Sequence, residues 1–538
     1  MFEQKTFGTC VKFAVDGRQI MELIYHEIRE AKSSIWIANY DLDPDLCLVR
    51  ESEHQKKYFQ RSYDESDLVT TSCQERINEE DIKNTATNTL VDIYEDPFVL
   101  QNLLIEKAKE KVDIKIILWE PRLIVRTLPI SKRRRGIEGR EEKAEIIKKL
   151  AKDHGVDNYI SVQLDSKAPT LTSGYHEKII IIDNQIGFCG GQDLSKGKWD
   201  TSNHSFDNVM RDNGSEPWHD VNVMVKGPIL RYFIFHFNQR WVHSILKSNE
   251  WVKELVTPNS IGAYLSPPHI HLSRPSFTAT NENEERIEMV ALRTWKQFDE
   301  NGDVGIFGIR EWYDIMFRNA KHNIYLEDQF PFQDNTITQS LIKRLKEQRG
   351  LKLITVGPMD PNLPGFIFGK IAHESTNEIN YNLSALRKAG EGERVGNYSL
   401  VSQDPGINSN RKQIYVHSKI MIVDDKWITI GSANTDRDGF EASTEFDLGI
   451  TSPTLAQQLR VKLWTEHIGE EYLRASPSLD LNNFDEGFQA WERIANDNGK
   501  RVERNEVISG HIYYYNFQEM GFPPPYTGAK GGNKFQWF

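Results

Sequence analysis

A chain of 538 residues with 38% apolar and 11% aromatic side chains is globular and too long for one ordinary core, so roughly two to four domains or lobes are expected. Its net charge of −12 excludes a general basic field that would gather nucleic acid or anionic membrane. No run approaches the ~18 apolar residues of a membrane span, and Met1-Phe2-Glu3-Gln4-Lys5 lacks the basic-then-apolar layout of a secretory signal. A cytoplasmic or peripheral-membrane location is expected, with any export by a route that needs no cleaved signal. Cys10, Cys47, Cys73 and Cys189 form no Cys-x-x-Cys pair, which predicts free thiols and a reducing compartment.

In chain order, Ile20, Leu23, Ile24 and Ile28 share a helical face, and Ala31-Lys32-Ser33-Ser34-Ile35-Trp36-Ile37-Ala38 follows as a strand. Residues 51–95 are charged and aperiodic and read as a surface insertion. A second strand covers 113–119, and the run Lys132-Arg133-Arg134-Arg135 reads as a solvated loop or a contact for anionic lipid headgroups. The stretch Tyr175-His176-Glu177-Lys178-Ile179-Ile180-Ile181-Ile182-Asp183 comes next, then a polar loop over 201–217. Asp220 precedes Pro228 by eight residues, and Phe233, Phe237 and Trp241 continue as a helix.

The same grammar then repeats. Ile309, Trp312, Tyr313 and Phe317 keep the first helix's spacing, Ala320 to Glu327 and Leu351 to Gly357 are the strands, and Val416-His417-Ser418-Lys419-Ile420-Met421-Ile422-Val423-Asp424 is the second copy of the apolar stretch. Glu445 again precedes a proline, Pro453, by eight residues, with Leu455, Leu459 and Trp464 on the helix beyond. The first strands are offset by 289 (320 − 31), the second strands by 238 (351 − 113) and the motif histidines by 241 (417 − 176), which places the extra residues of the first half between its first two strands.

The expected fold class is α/β, as two pseudo-symmetric lobes, each a mixed β-sheet flanked by helices, with the active site at the lobe interface. The boundaries are 1–250 for the first lobe, 251–305 for a linker, 306–475 for the second lobe and 476–538 for a tail packed on the core. His269 and His271 in the linker lack a cysteine or carboxylate at ligand spacing, so no metal site is assigned.

Both copies read His-x-Lys-x-x-x-x-Asp, and both are followed after seven residues by a small-residue turn, Gly190-Gly191-Gln192-Asp193 and Gly431-Ser432-Ala433-Asn434. Such a pair suits phosphodiester cleavage. One neutral imidazole attacks phosphorus, the other donates a proton to the departing oxygen, and the lysines neutralise the charge on the equatorial oxygens. No metal is required by this scheme. Each His needs an acid to set its tautomer, and the equivalent positions offer Asp220 to the first motif and Glu445 to the second. Asp183 and Asp424, past the strand ends, are expected to make structural hydrogen bonds.

These motifs resemble those of the phospholipase D superfamily, and in particular its eukaryotic-type branch. The resemblance is carried also by Leu42-Asp43-Pro44, Lys198-Trp199-Asp200, Pro217-Trp218-His219-Asp220-Val221 and Ile324-Tyr325-Leu326-Glu327-Asp328-Gln329-Phe330. It implies His176 as nucleophile and His417 as general acid/base, with Lys178, Lys419 and Asn434 on phosphate oxygens. Ser432 and Gly191 support the site, and Asp193, standing where the second half has Asn434, orients Lys178 or a headgroup. Tyr175-His176-Glu177 departs from the His-His-Gln common in the family. The resemblance implies hydrolysis of phosphatidylcholine or phosphatidylethanolamine to phosphatidic acid, with transfer to alcohols as a side reaction, at a bilayer or micelle surface. A nuclease of the same superfamily and a membrane-attacking lipase toxin are the alternatives. No nucleic acid partner is expected, one chain suffices because it holds both motifs, and a calcium or phosphoinositide requirement is not readable.

Overall fold

The computed structural model describes residues 6–50, 69–70, 96–120, 139–166, 173–208, 210–212, 215–245, 287–299, 302–360 and 369–526. Most of the insertion at 51–95, the basic run at 132–135, His269 and His271 lie outside the described residues.

Two sheets share one strand order. In the first it runs Cys10–Val15, Val221–Lys226, Ile186–Gly190, Ile179–Ile182, Ser34–Asn39, Asp113–Trp119, Ile160–Asp165; in the second it runs Ile287–Asp299, Glu445–Thr451, Trp427–Gly431, Ile420–Val423, Asn323–Glu327, Lys352–Val356, Val395–Gln403. In both, the last three strands are parallel and the others antiparallel, so the fold is α/β with mixed sheets. The uninterrupted apolar runs of the motifs follow from burial on both faces. Ile179 and Ile181 point into a central core shared with Ile420 and Ile422, while Ile180 and Ile182 pack under the first lobe's helices and Met421 and Val423 under the second's. Phe233 and Phe446, one from each lobe, have ring centroids 4.6 Å apart in that central core.

Three expectations are corrected. The span 251–305 is not all linker: Ile287–Asp299 pairs with Glu445–Thr451, and Gly302–Phe307 pairs back on it. Its alternating apolar residues, Ile287, Met289 and Ala291, enter the central core, which the acidic composition just upstream masked. The first half does not stay in its own sheet either. Thr6–Gly8 pairs with Ile287–Asp299, and Trp218–His219 pairs with Arg411–Val416. Third, Cys10 is disulfide-bonded, whereas Cys47 and Cys189 are free. Chain spacing does not report which cysteines the fold brings together, and the argument for a reducing compartment loses that support.

In the region expected as a tail, the helix Phe484–Glu503 buries Phe488, Trp491 and Ile494 in the central core, and Ile512–Tyr514 adds a strand to the second sheet. No helix among the described residues is long and apolar enough to cross a membrane.

Candidate active site

Each motif ends in an acid that closes a turn. Asp183 and Asn184, and Asp424 and Asp425, have φ of 53°, 57°, 53° and 45°, left-handed values that Asp and Asn tolerate better than most side chains. The Asp183 carboxylate accepts from the backbone N–H groups of Lys32, Ser33 and Ser34 at 2.8, 2.7 and 2.9 Å. Asp424 does the same for Lys321, His322 and Asn323 at 3.0, 2.7 and 3.0 Å. Both acids tie the motif strand to the start of the first strand of their repeat, far from the histidines in sequence.

At the other end the lobes exchange backbone. Thr444 O accepts from His176 N and Glu177 N at 2.9 and 3.0 Å, and Thr444 N donates to Gly174 O at 2.9 Å. By the same arrangement, His417 N donates to His219 O at 2.8 Å and Tyr415 N to Pro217 O at 2.7 Å. The acid that follows each docked segment therefore reaches the other lobe's histidine. His176 Nδ1 lies 3.0 Å from Glu445 Oε1, and His417 Nδ1 lies 2.8 Å from Asp220 Oδ2. This corrects the pairing expected within each half: Glu445 serves the first motif and Asp220 the second. The repeat spacing singles out both acids but carries no information on which way they cross.

The turns after the motifs hold these acids. Ser432 Oγ donates to Glu445 Oε2 at 2.6 Å. At the matching position a Cβ on Gly191 would stand 2.2 Å from Asp220 Oδ1 and 2.7 Å from His417 O, so only glycine lets the first-lobe turn approach the second motif. Glu177 is bound by the buried guanidinium of Arg240, whose Nε donates to it at 2.5 Å. Arg240 also stacks 3.5 Å from the Tyr175 ring centroid, which anchors the segment preceding Lys178.

Both lysines fold back on their own histidine, Lys178 Nζ to His176 O at 2.8 Å and Lys419 Nζ to His417 O at 2.5 Å. Asp193 lies 3.5 Å from Lys178 Nζ and bonds Lys198 Nζ. Burial raises the Asp193 carboxyl, but Lys178 and Lys198 overcome it and hold the group well below its usual range. Lys419 has an amide rather than a carboxylate beside it, Gln329 Oε1 at 3.4 Å, and burial pulls it down to about 8 against the opposing charges of Asp220 and Asp328. Burial, then the lysines, push both His176 and His417 well below the ordinary imidazole value, so both rings are neutral before an anion arrives. Burial raises Asp220 to about 6 and raises Glu445 as well.

Several further residues complete the site. Lys198, in Lys198-Trp199-Asp200, carries no role that the sequence pattern assigns, yet its ammonium joins Lys178 at Asp193. Tyr40 and Trp119 stack at 4.7 Å, with Tyr40 edge-on to His176 at 5.0 Å; Trp218 and Tyr415 stack at 4.6 Å beside His417. Tyr40 and Gln329 are equivalent under the 289-residue offset (329 − 40), a signal the sequence did hold. A cavity of about 130 Å³ opens next to His176, lined by Tyr40, Trp119, Asn434, Asp436 and Asp438, and Asn434 Oδ1 is buried there without a hydrogen-bond partner. Burial and the neighbouring Asp438 push Asp436 up to about 8. Groups among the described residues that could ligate a metal lie one layer behind His417, around His219, and not at the two motif histidines.

Two family models match the chain, one described as phospholipase D over residues 86–332 and one described as cardiolipin synthase, PLD-like domain, over residues 314–466. Among curated proteins, phospholipase D zeta 2 of Arabidopsis thaliana is 22% identical over 86% of this chain and 54% of its own length. Phospholipase D alpha 1 of Vigna unguiculata is 25% identical over 93% of this chain and 70% of its own length. The chain thus spans about half to two thirds of the curated relatives it matches. Among solved structures, a phosphatidylserine synthase from Haemophilus influenzae aligns over 93% of this chain and 95% of that one with a TM-score of 0.49 and 12% identity.

Proposed function

The chain belongs to the phospholipase D superfamily, and from that premise we propose that it is a phosphodiesterase that hydrolyses glycerophospholipids, releasing the headgroup and leaving phosphatidic acid. The observation that carries the reading is the pair of motif histidines, each held at Nδ1 by the acid of the opposite lobe with a motif lysine beside it. An acid on Nδ1 leaves Nε2 of each ring for chemistry.

In the first step His176 Nε2 attacks phosphorus, the bond to the headgroup oxygen breaks, and that oxygen takes a proton from His417 Nε2. His176 is the more open ring, with 17% of its side chain exposed against 7% for His417, which suits the attacking role. The phosphodiester's negative charge offsets Lys178, Lys419 and Lys198, raising His417 so that it carries the proton the step needs. The phosphohistidine at Nε2 is cationic with its proton retained on Nδ1, and Glu445 faces that charge. In the second step His417 takes a proton from water, the water oxygen attacks phosphorus, and the P–N bond breaks. A primary alcohol in place of water gives the transfer product. Lys178, Lys419 and Asn434 are assigned to the phosphate oxygens, and these steps ask nothing of a metal.

The substrate is reached from the water side of a bilayer or micelle surface, and a single chain suffices. Mixed micelles of phosphatidylcholine or phosphatidylethanolamine test the proposal, with mass spectrometry of both products. Headgroup release that vanishes in His417→Ala is expected. Absent lipid products together with DNA or RNA degradation that His176→Ala abolishes would move the substrate to nucleic acid.

A further inference from the structure

Directly behind His417 the fold gathers a second polar cluster that this chemistry does not use. Asp16 opens the helix that follows Cys10–Val15, His204 stands in the rim loop, His219 on the exchanged strand and Glu466 on the helix Pro453–Ile468. Asp16, His204 and His219 have 0% relative exposure. One atom of each converges on a common point. His219 Nδ1 lies 2.9 Å from both Asp16 Oδ1 and Glu466 Oε1, and His204 Nε2 lies 3.2 Å from Glu466 Oε1 and 3.8 Å from Asp16 Oδ1. All four atoms fall within 4.8 Å of one another. A tetrahedral ion with ~2.0–2.1 Å bonds to imidazole and carboxylate has ligand-to-ligand edges of about 3.3–3.4 Å, and the four distances bracket that value.

The outward ring nitrogens decide what the inward ones can be. His204 Nδ1 faces Asp200 Oδ2 at 3.0 Å, and His219 Nε2 faces Glu327 Oε2 at 3.0 Å. Carboxylates accept, so those nitrogens carry the protons, which is the carboxylate–histidine arrangement that orients metal ligands. The inward nitrogens meet two carboxylate oxygens, and the buried negative charge gathered there calls for either a second proton on each ring or a cation. Asp16 adds an independent sign: its Oδ2 is buried with no hydrogen-bond partner, and it opens the helix Asp16–Glu30 with a left-handed φ of 63°. The surrounding charge agrees. Asp16, Asp200 and Glu327 are buried acids and the Glu466 side chain is 4% exposed, with Arg211 at 3.5 Å from Asp200 as a partial counterweight.

We propose that Asp16, His204, His219 and Glu466 form a closed four-coordinate site for a divalent cation of the zinc class, clamping the two lobes together behind the catalytic centre. Three ligands come from the first lobe and Glu466 from the second. The ion takes no part in phosphoryl transfer. It positions the catalytic layer through Glu327, which also accepts from Ser418 Oγ at 2.6 Å, and through His219, whose carbonyl holds His417 N. Mixed imidazole and carboxylate donors in a closed tetrahedron favour zinc over calcium or magnesium, which prefer more oxygen ligands. The inference stands apart from the choice of substrate.

The test uses the full chain. Elemental analysis after desalting is expected to find about one zinc per chain, and X-ray absorption at the zinc edge two imidazole and two carboxylate ligands. Chelation with dipicolinate should lower the melting temperature by about 5 °C or more, with recovery on adding zinc. Cobalt in place of zinc should give the intense visible absorption of a tetrahedral ion, lost in His204→Gln and Glu466→Gln. The absorption measurements on the unmodified chain do not depend on those variants folding. A chain without retained zinc, with no cobalt absorption and no response to chelator, overturns the proposal and leaves two extra ring protons to balance the acids. Cobalt absorption unchanged in folded His204→Gln overturns it equally.

Discussion

The two half-sites have the same backbone and different charge. In the first, Lys178 has Asp193 as a buried counter-ion, shared with Lys198, and the Tyr40 ring 5.2 Å from its ammonium. In the second, Gln329 replaces Tyr40, Asn434 replaces Asp193, and Lys419 reaches no carboxylate within salt-bridge distance among the described residues. What is preserved between halves is what the fold needs: the motif acids on three backbone N–H groups, the turn under the acid, the exchanged segment. What differs is the charge next to the lysine, which sets its proton affinity. The repeat thus keeps one frame, and a few side chains give the two histidines different surroundings, the physical basis for the proposed division of labour between them.

The largest effects should come from removing that division. His176→Asn and His417→Asn should each lower kcat by about 10³-fold or more, but they should stall differently. With an activated phosphodiester whose leaving group needs no proton, His417→Asn should still accumulate an adduct that mass spectrometry locates on the His176 peptide. An adduct on the peptide carrying His417 in the unmodified enzyme would reverse the assignment.

Next in size, the crossed acids should each cost about 10²–10⁴-fold in kcat with a natural lipid when neutralised. Glu445→Gln should slow adduct formation even with the activated substrate, because it acts on His176. Asp220→Asn should spare that substrate, because it acts on His417. Equal losses on both substrates in both variants would show that the crossing has no bearing on which step each acid serves.

Smaller again is a pH effect specific to the second half. Lys419 is cationic below about 8 and loses its charge as pH rises through that value, so kcat/KM should fall on the alkaline side with a midpoint near 8. Gln329→Glu gives Lys419 the kind of counter-ion Lys178 already has, and should move the limb upward by about one pH unit. A profile that stays flat to strongly alkaline pH would remove Lys419's charge from the catalytic account.

The smallest difference should lie in the shared frame. Asp183→Ala and Asp424→Ala each leave three backbone N–H groups without their acceptor and should destabilise the chain by about 1–3 kcal/mol, read from denaturant midpoints. Losses that differ between the two variants by more than about 1 kcal/mol would mean the halves are not equivalent even as scaffold.

Periodicity and repetition made the α/β class and the two lobes legible, and they singled out the four motif residues and both acids as candidates. Local chemistry decides these: a β-branched run between a His-x-Lys and an Asp can be little else than a strand buried on both faces. The pairing of acids with histidines was decided by tertiary structure alone. It depends on Thr444 docking at His176 and His219 docking at His417, contacts between residues about 200 or more apart that leave no spacing in the chain. The strand Ile287–Asp299, the disulfide at Cys10 and the convergence of Asp16, His204, His219 and Glu466 were hidden for the same reason. A one-dimensional pattern records which face a side chain takes, and only the closing of two sheets on one another determines what it meets there.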